Sequence, residues 1–262
     1  VDYATQKNND YGLSFYLMDV PYYDFSGVRI FDGEVGKFID VRKTADLFDA
    51  RTIDNNAAAA YFPNIVIDDV INNRRVTVPA SVAALAAIGF NDKVAYPWFA
   101  PAGFNRNALS FVVLTQVRVN QPERDKLYDV RINPVVKFPG ESFVFFSQNT
   151  LQQAKTSLTS INVKRMLLEV KRIVVDVGNK LLFEQITPEL RSNFVKSTSA
   201  LLGTIQLKQG IELFRVICDD SNNSQADIDS NRMNAQIRMV PTRSVEFIVM
   251  DFIVTPSGVS FA

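Results

Sequence analysis

The apolar positions in the middle of the chain change their spacing near residue 160. The stretch "KFPGESFVFFSQNTL" (137–151) holds two short apolar runs separated by Pro139-Gly140, which predicts two strands folded into a hairpin. The next apolar residues recur at i, i+3, i+4 and i+7, which predicts an amphipathic helix over 162–175. They are Val163, Met166, Leu167, Val170, Ile173 and Val174. A strand pair that leads into a helix is common both in enzymes and in proteins that assemble, so this pattern leaves the function open.

The elements before the hairpin follow from apolar runs and the residues that interrupt them. A helix is predicted at about Lys43–Ala50. The run "AAAAYFPNIVIDD" indicates a buried strand broken at Pro63, and "VINNRRVTV" indicates a hairpin with a type I′ turn at Asn72-Asn73. The segment "PASVAALAAIGFND" then predicts a short helix with small side chains. "PWFAPAGF" (97–104) is a shaped loop, because two prolines and a glycine in eight residues exclude a regular element.

The remaining patterns predict a mixture of strands and helices. "LSFVVLTQVRV" and "KLLFEQI" (180–186) are strand candidates, and "NQPERDKLYDV" is a short helix with Asn120 as its cap and Pro122 in its first turn. Thr187-Pro188 begins a helix that runs to Gly210. Three strands follow, namely "IELFRVICDD", "NAQIRMVP" and "SVEFIVMDFIV", with a polar loop between the first two.

This order of elements predicts the α/β (α+β) class, with a mixed central β-sheet flanked by helices and antiparallel strands near the C-terminus. Residues 1–56 are poorly periodic and rich in Asp, Asn and Tyr. We therefore expect 1–56 to be a partial, irregular peripheral segment or the remnant of an outer domain, and 57–262 to form one core domain.

Composition excludes several kinds of function. Lys plus Arg and Asp plus Glu both number 28, and the resulting net charge of zero argues against a nucleic-acid partner, which needs a basic excess. The absence of histidine excludes Ser-His-Asp and Cys-His catalysis and most zinc sites. No run approaches the roughly 18–20 apolar residues that span a bilayer, so no membrane insertion is expected. The single cysteine, Cys218, lies in an apolar strand and is expected to be a buried, inert thiol.

No motif supplies a catalytic, cofactor-binding or metal-binding residue. The acidic loop "CDDSNNSQADIDSN" places Gln225 where a calcium-binding EF-hand needs glycine and Asn231 where it needs the bidentate Glu. The chain has no glycine-rich phosphate loop. Carboxylates are numerous, but the sequence places no two of them across a cleft. We therefore expect no enzyme activity and no cofactor.

Two surfaces have the character of contacts with other proteins. The helix 162–175 carries Lys164, Arg165, Lys171 and Arg172 on the side away from its apolar stripe, which indicates either a solvated face or a basic ridge for an acidic partner. The tail "SVEFIVMDFIVTPSGVSF" is apolar over ten residues. Such a strand is buried in its own sheet or shared with a neighbouring subunit, and the pattern alone leaves both possibilities open.

Six stretches in order resemble the core domain of contractile phage tail sheath proteins over about residues 57–254. They are "AAAAYFP" with "VTVPASVAALAAIGFND", "PWFAPAG", "LYDVRINPVVKFPGESFVFFSQNTL", "INVKRMLLEVKRIV", "LLFEQITPELRSNF", and the run from "FRVICDD" to "VEFIVMDF". The chain departs from the family pattern at three places: Arg131 replaces a glycine, Phe145-Phe146 stands where tryptophan is frequent, and Gln185 replaces a proline. Residues 1–56 show no clear match.

The resemblance implies a structural subunit that polymerises helically around a tail tube and contracts to drive the tube through the host envelope during genome delivery. Its implied partners are neighbouring sheath subunits, the tail tube protein and the baseplate, and its implied location is the virion tail after synthesis in the host cytoplasm. The chain would then be a fragment that lacks one or more outer domains. Strand candidates for the contact between subunits are Val245, Phe247, Val249 and Phe252. The four basic residues of the helix are candidates for contact with the tube.

Three alternatives stay open at this point. The same architecture would serve the sheath of a phage-like bacteriocin or of a cellular contractile injection system. A carboxylate-dependent phage tail hydrolase would need two carboxylates that face each other across a cleft, one with a raised pKa. A static adaptor or capsid-type protein would assemble without two lattice states.

Overall fold

The computed structural model describes residues 13–31 and 37–246. Its strands are β1 (Tyr16–Asp19), β2 (Tyr22–Tyr23), β3 (Arg29–Ile30), β4 (Ala58–Phe62), β5 (Ile65–Asp69), β6 (Arg74–Val78), β7 (Val112–Thr115), β8 (Ile132–Lys137), β9 (Phe143–Phe145), β10 (Ile211–Ile217) and β11 (Gln236–Pro241). Its helices are α1 (Val41–Asp49), α2 (Ala80–Val94), α3 (Gln121–Asp129), α4 (Ile161–Asn179), α5 (Pro188–Leu207) and α6 (Gln225–Asp229), with a 3₁₀ turn at Ser157–Thr159. The α+β class, with antiparallel strands at the C-terminal end, is confirmed.

The central sheet has the order β1-β4-β8-β9, in which β1, β4 and β8 run parallel and β9 is antiparallel to β8. Every residue of β4 is buried, as expected for a parallel strand covered on both faces. Ala58, Ala60 and Phe62 join one core cluster, whereas Ala59 and Tyr61 join another. Because successive side chains of a strand point to opposite faces, the five residues of β4 contribute side chains to both clusters.

Helices cover the two faces of this sheet. Val41, Ala45 and Phe48 of α1 pack into the first cluster together with Leu127 of α3. The alanines of α2 pack into the second cluster, where their small side chains let the helix approach the sheet closely. The strands β6-β5-β7 form a separate three-stranded sheet, whose Ile65 and Val112 join the same second cluster.

The third cluster lies at the C-terminal end, where α4 and α5 pack against the antiparallel pair β10-β11. Val163, Met166 and Val170 of α4 meet Leu202 and Ile205 of α5 there. Three of these five positions belong to the apolar stripe that predicted α4. The strands β10 and β11 bury one face against these helices and form a two-stranded sheet of their own.

Local signals predicted several boundaries correctly. The side chain of Asn120 accepts a hydrogen bond from the backbone N–H of Glu123, whose carboxylate accepts one from the Asn120 N–H, so a full capping box begins α3. Thr187 caps α5, and Pro188 lies in its first turn. Gly140 has φ of +79°, the left-handed conformation that the tight β8–β9 turn requires.

Arg131 ends α3 with φ of +62°, a conformation that favours glycine. This geometry gives a physical reason why the family pattern noted above has a glycine at the position of Arg131.

Several expected elements differ from the observed ones. The segment 180–186 is not a strand: α4 continues to Asn179, and the following residues turn back toward α5 without pairing with any strand in 13–31 or 37–246. The β5–β6 hairpin is confirmed, but only Asn73 of the pair at its turn has a positive φ, so the turn is not type I′. The strand predicted at 109–119 is confined to β7. The polar loop after β10 contains the short helix α6.

Part of residues 1–56 is built into the core. β1 pairs in parallel with β4, and Phe48 and Val41 of α1 are buried. These residues are therefore not peripheral, because hydrogen bonding and burial join them to the segment that follows residue 57. The sequence missed this because β1 and β4 are separated by about forty residues, and periodicity carries no information on such distant pairing. The division of the chain into two domains at residue 57 stays a prediction.

Candidate assembly surface

The β10–β11 pair is a small sheet, and its two outer edges are bare as far as the described residues extend. Phe214 lies opposite Met239, and both side chains pack toward α4 and α5. On the other face, Leu213 is 62% exposed and Val240 is 47% exposed. In the part of the chain that the structure describes, neither strand pairs with a third strand. Bare strand edges with an apolar face are a surface on which another chain can add a strand.

The segment after β11 leaves this sheet and crosses α4 toward α3. The Ser244 hydroxyl accepts a hydrogen bond from the Asn162 side chain at 3.0 Å, and the Glu246 carboxylate accepts one from the Tyr128 hydroxyl at 2.7 Å. Val245 lies between them, outside any strand and 78% exposed. Phe247, Val249 and Phe252 lie outside the described residues. The role of these four residues in strand exchange stays a prediction.

Two of the four basic residues on α4 do not form a solvated face. Lys164 is only 2% exposed, and its ammonium group donates to the Asn56 side chain at 2.8 Å. Arg165 is largely buried, forms an ion pair with Asp92 on α2 and donates to the backbone carbonyl of Pro97. The expectation that all four cations lie away from the core was therefore wrong for Lys164 and Arg165.

The burial of Lys164 has a physical reason that the apolar stripe concealed. The first turns of α4 are covered on two sides, because Ile161 packs into the second cluster while Val163 and Met166 pack into the third. Lys164 follows Ile161 by one turn and so faces the second covered side. The signal in the sequence that Lys164 lies on a covered side was the pair of apolar residues Ile161 and Leu168, at i−3 and i+4 from it.

The other two basic residues are exposed. Arg172 pairs with Glu169 one turn earlier at 2.5 Å, and Lys171 lies on the exposed side of α4. An exposed pair of this kind contributes little to stability. Lys171 and Arg172 are thus the two of the four candidates that a tail tube could reach, and that contact stays a prediction.

The buried ammonium group predicts a pH dependence of folding. Burial, followed by the charge of Lys171, lowers the pKa of Lys164 from 10.5 to about 8. Between these pH values the unfolded chain holds a proton that the folded protein has released, so the free energy of unfolding should rise as the pH increases. With allowance for screening by solvent, we expect a gain of about 2 kcal/mol, measured by urea unfolding at pH 7.5 and pH 10.

Lys164→Met should remove that gain, whereas Lys171→Met on the exposed side of the same helix should keep most of it, because burial is the larger cause of the lowered pKa and the charge of Lys171 the smaller. Apart from these two lysines, the variants share every group that titrates in this range, so the difference between them reports mainly the burial of Lys164. Equal pH dependence in the two variants would contradict the assignment.

The loop 97–104 contacts the third cluster and the end of α5 through Trp98. The Trp98 indole N–H donates to the backbone carbonyl of Lys208 at 2.8 Å, and its ring stacks on Tyr96 with centroids 4.9 Å apart. The Lys208 ammonium group lies 4.5 Å from the centre of the Tyr96 ring, within range of a cation–π interaction. The sequence predicted an irregular loop here but not its contact with the end of α5.

A glycine substitution tests how tightly this contact is packed. A Cβ atom added at Gly210 would lie 2.6 Å from the Ile205 side chain and 2.9 Å from the Trp98 ring, so Gly210→Ala should destabilise the fold by about 1–3 kcal/mol. Gly203→Ala is the matched control. Gly203 lies within α5, and a Cβ added there would meet nothing within 4 Å apart from the helix's own neighbouring backbone. The control should stabilise the fold by about 0.5–1 kcal/mol. Equal changes in the two melting temperatures would contradict the packing argument.

The described residues contain no group of three or more His, Cys, Asp or Glu side chains that could hold a metal ion. Within the same residues, no helix is both long and apolar enough to cross a membrane. The predicted burial of Cys218 is confirmed, and this burial raises the pKa of its thiol, which disfavours the reactive thiolate.

The fold matches subunits of contractile assemblies. The chain aligns with a chain of an extracellular contractile injection system, the PVC sheath complex in its contracted state, with a TM-score of 0.74, 17% identity and coverage of 91% of this chain and 63% of that one. It also aligns with a chain of the anti-feeding prophage baseplate, with a TM-score of 0.73, 19% identity and coverage of 92% and 60%. At these identities the match establishes a shared fold, that of contractile sheath and baseplate assemblies.

Sequence comparison gives the family. No family model matches the chain. The tail sheath protein of Vibrio phage KVP40 is 37% identical over 190 residues, and the tail sheath protein of Enterobacteria phage T4 is 32% identical over 189 residues. Each match covers 72% of this chain and 28% of the relative. The chain belongs to the tail sheath protein family and spans little more than a quarter of the length of these relatives.

Proposed function

We propose that the chain is the core part of a longer subunit of a contractile phage tail sheath. In this function, subunits polymerise helically around the tail tube and contract to drive the tube through the host envelope. The observation that carries the proposal is the 37% identity to a phage tail sheath protein over 190 residues. The shared fold with a sheath complex in the contracted state supports it independently.

The geometry of the C-terminal layer is suited to such an assembly. The bare edges of the β10–β11 sheet and the exposed Leu213 and Val240 offer main-chain hydrogen bonds and an apolar face to a strand from a neighbouring subunit. A head-to-tail contact that does not close generates a helix of subunits. Strand exchange of this kind would hold neighbours together while the rest of each subunit moves as a rigid body.

The partners follow from the same proposal. They are neighbouring sheath subunits, the baseplate and the tail tube, to which the exposed Lys171 and Arg172 are the candidate contact. The protein acts within the virion tail after synthesis in the host cytoplasm, without binding nucleic acid or inserting into a membrane. It is a structural protein and not an enzyme, because contraction would release a metastable lattice and needs no catalytic step.

The nearest alternative is the sheath of a bacteriocin or of an injection system. The structures of injection systems share the fold at 17–20% identity, whereas two phage sheath proteins are 37% and 32% identical. These identities favour the phage sheath. The relatives are named sheath proteins, so the comparisons give no support to a tail hydrolase.

Negative-stain electron microscopy tests the proposal. The full-length protein that contains this chain should form striated tubes at high concentration or in the presence of purified tail tubes. The 262-residue chain, imaged at the same molar concentration, shows whether its own residues hold every contact that assembly needs. A full-length protein that stays monomeric both alone and with tail tubes would contradict the proposed function.

A further inference from the structure

A cavity of about 450 Å³ opens between α3 and the segment after β11. Its volume lies within the range typical of ligand pockets, about 300–1,000 Å³. The walls are mainly apolar and include Ala102, Pro134, Phe146 and Val245. None of these side chains offers a hydrogen bond, so an occupant would bury aliphatic or aromatic surface against them.

One polar side chain at this cavity has no partner. Gln148 is only 6% exposed, and its Oε1 atom accepts no hydrogen bond. Among the described residues, its side chain forms no hydrogen bond at all, although its backbone carbonyl accepts one from the Ile161 N–H. A buried amide without partners is costly and therefore uncommon. The Nε2 donor of the same amide is not enclosed in this way, so it can donate to a backbone carbonyl of an extended peptide in the cavity.

The rim of the cavity is acidic. Asp125, Asp129 and Glu246 contribute three carboxylates, and Arg124 contributes one positive charge. That guanidinium stacks on the neighbouring aromatic rings, 5.0 Å from the centre of Phe138. In the residues that the structure describes, neither Asp125 nor Asp129 forms an ion pair. The whole chain has no net charge, so this local excess of two negative charges calls for a positive partner.

We propose that this cavity binds an extended segment of a neighbouring protein chain that carries a lysine or arginine. The Nε2 group of Gln148 donates a hydrogen bond to a backbone carbonyl of the segment. The apolar walls cover the aliphatic stem of the basic side chain, and its charged end reaches the carboxylates at the rim. A neutral apolar segment would leave the net negative charge of the rim uncompensated, so the charge of the rim selects a basic one.

Two probes of similar shape but different charge test this assignment on the 262-residue chain, at a concentration where sedimentation shows it to be monomeric. The probes are Nα-acetyl-arginine N-methylamide and the analogue with neutral citrulline in place of arginine, titrated at low salt while backbone amide signals are followed by NMR. The arginine compound should bind at least threefold more tightly and shift the amide signals of Gly103, Tyr128 and Gln148. Its advantage should shrink as salt is added, because exposed charges are screened.

Three variants separate the parts of the site. Asp129→Asn should weaken the arginine compound about threefold and leave the citrulline compound unchanged. Gln148→Met should weaken both compounds by a similar factor, because it removes the pairing with the backbone and keeps the side-chain length. Asp176→Asn is the control, since Asp176 is an exposed acid on α4 outside the cavity, and should change neither affinity.

Equal affinity for the two compounds, or an affinity for arginine that Asp129→Asn does not alter, would overturn the proposal. A cavity filled by residues 247–262 of the same chain would leave the three amide signals unmoved by either compound, which also overturns it. The measurement is made under conditions where the chain is monomeric and does not depend on assembly, so its failure leaves the proposed sheath assembly standing.

Discussion

Replacing residues 245–262 of the full-length protein with a Gly/Ser segment of equal length is expected to abolish tube formation. The replaced residues include all four predicted contacts between subunits, of which Val245 is exposed and lies outside any strand. Without an apolar strand to exchange, the bare edges of the β10–β11 sheet gain no main-chain partner from the next subunit. Negative-stain electron microscopy should then show isolated particles in place of tubes.

The folded subunit should survive this replacement. In the described part of the segment, Val245 is exposed and Glu246 accepts a hydrogen bond from Tyr128, and neither residue belongs to any of the three core clusters. Circular dichroism and thermal unfolding check that point. Ile71→Asp is the control: it introduces a charge at an exposed apolar residue in the β5–β6 turn, and tubes should persist. Tubes of normal length from the Gly/Ser variant would refute the assignment of the contact to the C-terminal strand.

Asn133→Leu is expected to produce the largest loss of stability from a single polar residue, about 2–4 kcal/mol. Asn133 is fully buried in β8. Its amide donates to the backbone carbonyls of Ala60 at 3.0 Å and Asn149 at 2.8 Å. Its oxygen accepts from the Ser147 hydroxyl and from the Asn149 N–H, both at 2.7 Å. Leucine has a similar size but leaves these buried groups without a partner.

Chemical unfolding in urea measures this loss. Asn105→Leu makes the same chemical change at an exposed loop position and should alter the free energy of unfolding by no more than about 0.5 kcal/mol. The two variants together separate the loss of buried hydrogen bonds from the exchange of an amide for an apolar side chain. Comparable stability of both variants would show that the network around Asn133 contributes little.

The position of this network matters for the proposed function. Asn133 ties β8 to the segment 147–149, which leads into α4, and α4 in turn supports the β10–β11 sheet. A sheath subunit must carry force from its neighbours through its own core during contraction. We therefore expect Asn133→Leu to reduce the stability of tubes as well as that of the subunit, because both depend on the same connection.

Local chemistry alone was sufficient to predict much of this protein. The cap at Asn120, the helix start at Thr187-Pro188 and the turn at Gly140 depend on residues within a few positions of one another, so their signals are complete in the sequence. The apolar stripe of α4 likewise predicts a helix wherever that helix packs. The absence of histidine excludes whole classes of catalysis whatever fold the chain adopts.

Tertiary structure alone decided the features that depend on distant neighbours. The segment 180–186 has the composition of a strand, yet it forms a turn and pairs with none of the strands in the described residues. The pairing of β1 with β4 joins two strands that are some forty residues apart in the sequence. Lys164 is buried because α4 is covered on a second side. The Oε1 atom of Gln148 meets no hydrogen-bond donor among the described residues, beside a cavity built from segments far apart in the chain. Periodicity reports one face of one element, whereas burial and pairing are properties of the elements that meet.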